Sequence, residues 1–357
     1  MKNIILISPE SWGINYLSKH HYALSLAQSG HRVWFINPPG SSEKLQINEI
    51  ETNLFVVSYM PILRGKNKMP GFLSRYFHKI EIKKILKTTS KPDIVWSFDP
   101  YVFQWLDDFG ANIKIYHQVD AMNNDRLIKI IAQQADFVFS TAESILNKLK
   151  PFNRNCYKIP HGCHFKDKLY RDFTPGIPGK NKIKACYVGN FYKVLDMDTI
   201  LILINQNPDV DFIFIGPTEK SNLGSEVLEK TYIEALAKKS NAFLMGPIPA
   251  QDLHYYLELM DINFAVYKEK QMNSHKIMGY LYSGKVSLST PLVEYESSEL
   301  LLQSKSNEDF PDLFRSVKQN LTHFNSHKKV TERRAYALEH SYDKLLNRIE
   351  KIINLPL

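Results

Sequence analysis

The stretch "YRDFTPGIPGKNKIKACYVGN", residues 170–190, decides the fold. Its first part gathers Pro, Gly and charge with no apolar period, which is how a linker reads. From Ile183 the chain becomes a short apolar run that stops at a glycine, as a buried parallel strand does. A linker near the middle of 357 residues, with a fresh strand beyond it, predicts two domains, each with its own core.

Reading upstream, strand-like runs alternate with amphipathic patterns: "NIILIS" (3–8), a helix over 16–29, "RVWFIN" (32–37), "LFVVS" (54–58) and a helix over 72–88. The series continues with "DIVWSF" (93–98), "IKIYH" (113–117), a helix over 124–134, "DFVFS" (136–140) and "CYKIP" (156–160). Downstream it restarts with "IKACYVGN" (183–190), "VDFIFIGP" (210–217), "AFLMGP" (242–247), "DINFAVY" (261–267) and "KVSLST" (285–290). Apolar strands interleaved with amphipathic helices predict an α/β protein of two Rossmann-like domains, with parallel sheets facing a central cleft. The expected boundaries are 1–170, a linker at 171–182, a second domain at 183–330, and a helix over 331–357. That helix either crosses back to the first domain or trails from the second.

The composition, 44% hydrophobic and 23% charged, is that of a folded globular chain rather than a disordered one. A net charge of +8 favours anionic partners: nucleotides, phosphorylated lipids, nucleic acid or a membrane surface. No basic-aromatic motif or zinc module supports nucleic acid. Cys156, Cys163 and Cys186 show no C-x-x-C spacing, which argues against a zinc site and a disulfide framework. No apolar run is long enough to cross a bilayer, so a cytoplasmic protein is expected. A basic helix at 72–87, "FLSRYFHKIEIKKILK", fits either a sheet-covering helix with a lysine-rich outer face or one lying on an anionic membrane.

Strand ends locate the candidate chemistry. Three strands of the second half stop at Gly189, at Gly216 with Pro217, and at Gly246 with Pro247 and Ile248. Glycine at the carboxyl end of a parallel strand lets backbone amides come close to a phosphate or a ring. The loop "NSHK", with Asn273, Ser274, His275 and Lys276, opens a helix whose free amides and dipole suit an anion such as a diphosphate. Asn190 and Lys193 follow the first of these glycines.

In the first half, His117 and Asp120 lie just past a strand end, where the imidazole can serve as acid, base or oxygen-binding donor with Asp120 orienting it. Glu10, Gly13 and His20 occupy the first crossing, and Glu143 stands at a helix start. The adjacent histidines His20 and His21 are not a metal pair, because neighbouring helical residues point apart and no carboxylate or Cys cluster accompanies them. The first strand is followed by "SPESWG" rather than G-x-G-x-x-G, which argues against a nicotinamide dehydrogenase.

Together "HHYALSLAQSGHRVWFINPP" (20–39), "VWSFDP" (95–100), "YHQVD" (116–120), "ADFVFSTAES" (135–144), "IPHG" (159–162), "YVGNF" (187–191), "FIGP" (214–217) and "NSHKIMGYLYSGKVSLST" (273–290) resemble, in order, the GT-B glycosyltransferases, in particular the family 4-like enzymes of bacterial cell-surface polysaccharides. The resemblance implies transfer of a sugar from a nucleoside diphosphate donor to a glycan or lipid-linked acceptor, with retention and with no metal or other cofactor. It assigns the donor to the second domain, at Gly189, Gly216, Gly246 and Ser274 to Lys276, and the acceptor to the first, with His117 as the cleft histidine. Lys276, helix amides and Lys193 would then stabilise the leaving diphosphate.

This sequence departs from that pattern. The two glutamates that the family carries with seven residues between them are here Gln271 and Gly279, and the second normally binds the nucleotide ribose. The family's basic residue after the "VG" turn is Asn190. These losses keep a non-catalytic GT-B partner protein, and a nucleotide-sugar epimerase on the same fold, as alternatives.

Overall fold

The computed structural model describes residues 1–13, 16–40, 45–163, 175–189, 191, 193–218, 230–249, 252–271, 274, 276–295 and 299–357. The chain folds as two units, Met1–His161 with Tyr342–Leu357, and Gly162–Ser341.

Among the described residues unit 1 is built on eight strands: β1 (Asn3–Ile7), β2 (Arg32–Ile36), β3 (Gln46–Glu51), β4 (Leu54–Ser58), β5 (Ile94–Ser97), β6 (Ile113–Gln118), β7 (Phe137–Ser140) and β8 (Cys156–Lys158). Their order is β3-β4-β2-β1-β5-β6-β7-β8, parallel except for β3, which runs antiparallel to β4. The sequence reading had no place for β3. Its residues, "QINEIE", are mostly exposed at the sheet edge, so no buried apolar run marks them. The helices are α1 (Ser18–Gln28), α2 (Gly71–Thr89), α3 (Asp125–Gln134) and α4 (Glu143–Leu149). The Asn124 side chain caps α3 by accepting from the Leu127 amide at 3.2 Å. Ile4, Leu6, Val33, Phe35, Ile94 and Trp96 are buried in the core, as central parallel strands covered on both faces require.

Among the described residues unit 2 has six parallel strands: β9 (Ile183–Val188), β10 (Val210–Ile215), β11 (Ala242–Gly246), β12 (Ile262–Ala265), β13 (Val286–Ser289) and β14 (Leu302–Gln303), in the order β11-β10-β9-β12-β13-β14. Its helices are α5 (Met197–Gln206), α6 (Lys230–Ala237), α7 (Leu253–Glu258), α8 (Lys276–Ser283), α9 (Phe310–Gln319), α10 (Leu321–Phe324) and α11 (His327–Glu339). The chain then forms α12 (Tyr342–Ile353), which belongs to unit 1.

Two expectations change. The helix expected over 331–357 is two helices in different units, broken at His340 and Ser341. There the Cys163 amide donates to the His340 carbonyl at 2.9 Å. Tyr342, Leu345, Leu346, Ile349 and Ile353 join the unit 1 core, and Tyr342 packs on Tyr22 and His21 of α1 with ring centres 4.9 Å apart in each case. The first unit ends at His161 rather than at 170. Of the expected linker, 171–174 lies outside the described residues, and the part nearest β9 is tied into unit 2. The buried Asp211 carboxylate accepts from the Asn181 amide at 2.8 Å and pairs with Lys184 at 3.0 Å.

Candidate functional site

In unit 2 the strand order reverses between β9 and β12, and ligands of open parallel sheets bind beyond the carboxyl ends at such a point. Gly189 follows β9 with φ of +137°, and Gly216 follows β10 with φ of +147°, a backbone that only glycine adopts easily. The strand ends are laced together: the Gly189 amide donates to the Ile215 carbonyl, and the Gly216 amide to the Gly246 carbonyl, both at 2.9 Å. A side chain at Gly216 would collide with the Gly189 carbonyl oxygen, and a Cβ at Gly189 would stand 2.5 Å from the Lys276 ammonium.

Lys276, the first residue of α8, is thereby aimed at the end of β9. Its Nζ donates to the Tyr187 hydroxyl at 3.0 Å, lies 4.3 Å from the centre of that ring, and 5.6 Å from the Tyr267 ring. Among the described residues no carboxylate pairs with it, and burial lowers its pKa to about 7. The tyrosines form the nest. Tyr267 shares a 2.9 Å hydrogen bond with Ser274 just ahead of α8, and burial raises its own pKa to about 12. Tyr280 accepts from the Val188 amide at 2.8 Å and donates to the Phe264 carbonyl at 3.2 Å, tying α8 to β9 and β12. Sequence reading passed over all three; the available signal was their position in "CYVGN", "FAVY" and "GYLYSG", next to the strand ends and helix it had singled out.

The other expected donor residues are distributed as follows. Pro217, Gly246 and Ile248 lie half-buried along the same strand ends, while Pro247 and Lys193 are exposed. Gly279 lies one turn into α8, where an added Cβ meets only Leu257 at 3.9 Å, so the helix has room for a side chain. Gln271 turns its amide to the Glu269 carbonyl at 3.0 Å. Asn190, Asn273 and His275 lie outside the described residues.

In unit 1 the corresponding reversal falls between β1 and β5. His117, on β6, is 1% exposed and stands in an aromatic box with ring centres 4.9 Å from Phe98, 5.8 Å from Tyr22 and 6.0 Å from Trp96. Neither ring nitrogen has a hydrogen-bond partner among the described residues. Burial, then His161 and Lys19, lowers its pKa to about 3, so it is neutral. Asp120 does not orient it: the strand ends at Gln118, leaving Asp120 exposed, and the contact made there is from the Gln118 side chain to the Asp120 carbonyl at 3.0 Å.

Glu10 pairs with the buried Lys19, and its backbone is tied to the Ser8 hydroxyl. His20 accepts from the Leu17 amide at 3.0 Å on Nδ1, leaving Nε2 to donate to the Ser11 carbonyl at 3.3 Å. Its ring therefore fixes the loop at the start of α1 rather than facing a ligand, and burial lowers its pKa to about 4. Gly13 is half-buried in that loop. Glu143 is exposed at the start of α4 and pairs with Lys150 at 2.7 Å, the helix-start role of an acid. Two further groups at this edge escaped the sequence reading. The buried Asp99 accepts from the Tyr101 and Val102 amides, with burial raising its pKa to about 6. His161 meets the Ser18 hydroxyl at 3.1 Å. Among the described residues, no group of three or more His, Cys, Asp or Glu is placed to hold a metal ion.

No protein-family model matches the chain. A curated relative, TuaH of Bacillus subtilis (strain 168), named as a teichuronic acid biosynthesis glycosyltransferase, is 19% identical over 327 residues, covering 81% of this chain and 80% of its own. Among solved structures, a sucrose-phosphate synthase from Thermosynechococcus elongatus superimposes with a TM-score of 0.74 at 13% identity, over 99% of this chain and 98% of that one. HepE of Anabaena, solved with UDP and glucose, gives 0.69 at 10% identity over 99% and 100%. A trehalose 6-phosphate synthase from Burkholderia multivorans gives 0.70 at 9% over 99% and 98%. The fold is GT-B, as the sequence led one to expect.

Proposed function

We propose that this chain, with the fold of GT-B glycosyltransferases, transfers a sugar from a nucleoside diphosphate donor to a glycan or lipid-linked acceptor in cell-surface polysaccharide synthesis, retaining the anomeric configuration and working at the cytoplasmic face of the membrane. The observation that carries the reading is Lys276. An ammonium enclosed among tyrosine rings with no carboxylate is costly to bury, and an anion at the same point removes that cost. A diphosphate laid across the Gly189 turn supplies that anion, and the glycine leaves the backbone bare for its approach.

Unit 2 thus takes the donor and unit 1 the acceptor. As the sugar leaves, negative charge grows on the diphosphate, and a protonated Lys276 stabilises it in the position a metal ion fills in other transferases. Fixed in place beforehand by Tyr187, Tyr267 and the start of α8, the ammonium needs little reorganisation as that charge develops. The names of TuaH and of the sugar-phosphate synthases, and the UDP held by HepE, support the donor class.

The test is donor turnover. Full-length protein is incubated with UDP-, GDP-, TDP- and ADP-sugars, each with and without a bacterial lipid extract, and release of nucleoside diphosphate is followed. Release from one donor, stimulated by the extract and lost in Lys276→Met, is expected. No release from any donor contradicts the reading and favours the non-catalytic alternative that Gln271 and Gly279 raise.

A further inference from the structure

The positive charge of this chain is local. Residues 59–90 hold eight Lys and Arg against one acid, Glu81, a balance of +7 within a total of +8, so the remainder is close to neutral. Glu81 is itself buried, paired with Lys66 and accepting from the Ile62 amide at 2.8 Å. Arg75 is paired with Asp108 at 2.9 Å, whereas the exposed Lys79, Lys83 and Lys87 have no acid partner among the described residues.

The same surface is apolar. α2 buries Ser74, His78, Glu81, Ile82, Ile85 and Thr89. At 3.6 residues per turn the opposite side presents Phe72, Tyr76, Lys79, Lys83 and Lys87. Phe72 is 74% and Tyr76 61% exposed, and the three lysines are exposed with them. Ahead of the helix, Met60, Ile62 and Leu63 are exposed as well. That loop is pinned rather than loose: Ile62 is bound to Glu81, and Asn67 meets His78 Nε2 at 2.8 Å. Scattered exposed apolar residues need no explanation. Here five large ones share one short, rigidly held segment with most of the molecule's net charge.

We propose that the outward face of α2 and the loop before it dock on an anionic membrane surface, Phe72 and Tyr76 entering the interface while Lys79, Lys83 and Lys87 meet lipid phosphates. No helix among the described residues is long and apolar enough to cross a bilayer, so α2 lies on the surface. The inference rests on the proposed function in one respect, that a lipid-linked acceptor is found at such a surface.

Full-length protein is sedimented with vesicles of phosphatidylcholine alone and of phosphatidylcholine mixed with phosphatidylglycerol. Binding to the mixed vesicles only, weakened by salt, is expected. Replacing Lys79, Lys83 and Lys87 with Gln lowers partitioning roughly 100-fold. Phe72→Ser with Tyr76→Ser, both at exposed positions and compatible with an unchanged fold, lowers it about tenfold or more. Equal binding to both vesicle types, no binding, or unaltered binding by the variants overturns the proposal. So does self-association without vesicles that the Phe72 and Tyr76 variant abolishes, which would assign the face to a second copy. Nucleotide binding by the same variants separates the two readings: vesicle binding without nucleotide binding removes the donor assignment and leaves this one standing.

Discussion

The Lys276 ammonium donates to the Tyr187 hydroxyl at 3.0 Å and lies 4.3 Å from the centre of the same ring, with no carboxylate beside it among the described residues. A cation so placed is a liability in the empty protein and a binding group for an anion.

Stability should show the liability. Because the folded pKa of Lys276 is about 7 against an ordinary 10.5, the unfolded chain binds more protons between those values. Lys276 therefore makes the ligand-free protein more stable as pH rises from 7 toward 10, by at most about 1.4 kcal/mol per unit. Lys276→Met should be the more stable protein at pH 6, with the difference shrinking toward pH 10. Chemical denaturation of both proteins across that range measures it; a constant difference contradicts the shifted pKa.

The glycine turns should respond unequally. Gly189→Ala forces a side chain into a disfavoured backbone region and against the tip of a flexible lysine, so nucleotide binding should fall while the fold survives. Gly216→Ala carries the same backbone strain, about 1–3 kcal/mol, and in addition meets the Gly189 carbonyl, which cannot swing aside, so it should lower the melting temperature by several degrees more. Thermal melts and nucleotide titrations of the pair distinguish these effects; equal behaviour would mean that the two strand ends are not packed as described.

Gly279 offers a gain rather than a loss. An added Cβ there touches only Leu257 at 3.9 Å, so Gly279→Glu should fold normally and supply the ribose-binding carboxylate that the sequence resemblance leads one to expect at this position. Glycine is also the poorer helix residue, by up to about 1 kcal/mol against a good helix former. Tighter binding of whichever nucleoside diphosphate the chain takes, roughly tenfold from a hydrogen bond to a charged acceptor, is expected by calorimetry; unchanged affinity would place the ribose elsewhere.

The two sheets were legible because buried parallel strands are nearly continuous apolar runs, as in "NIILI" and "VDFIFI". The strand ends at Gly189, Gly216 and Gly246 followed from the same pattern, and Lys276 from its place at a helix start. What holds Lys276 did not. Tyr187, Tyr267 and Tyr280 were passed over, since their meeting depends on β9 and β12 being sheet neighbours although β10 and β11 stand between them in the sequence. The break at His340 was hidden for a related reason: the apolar face of α12 continues plausibly from α11, and only tertiary packing assigns it to the other unit. His117 shows the reverse case, a histidine whose position suggests exposed chemistry but whose neighbours enclose it in aromatic rings.

The most direct measurement is a calorimetric titration of the purified protein with UDP, GDP, TDP, CMP and ADP, without added metal, at pH 6, 7, 8 and 9. The account predicts binding of one nucleoside diphosphate, weakening by up to tenfold per pH unit above about 7 as Lys276 loses its proton, and abolished or severely weakened, without this pH dependence, in Lys276→Met. Failure of every nucleotide to bind, or binding that Lys276→Met leaves intact, would contradict it.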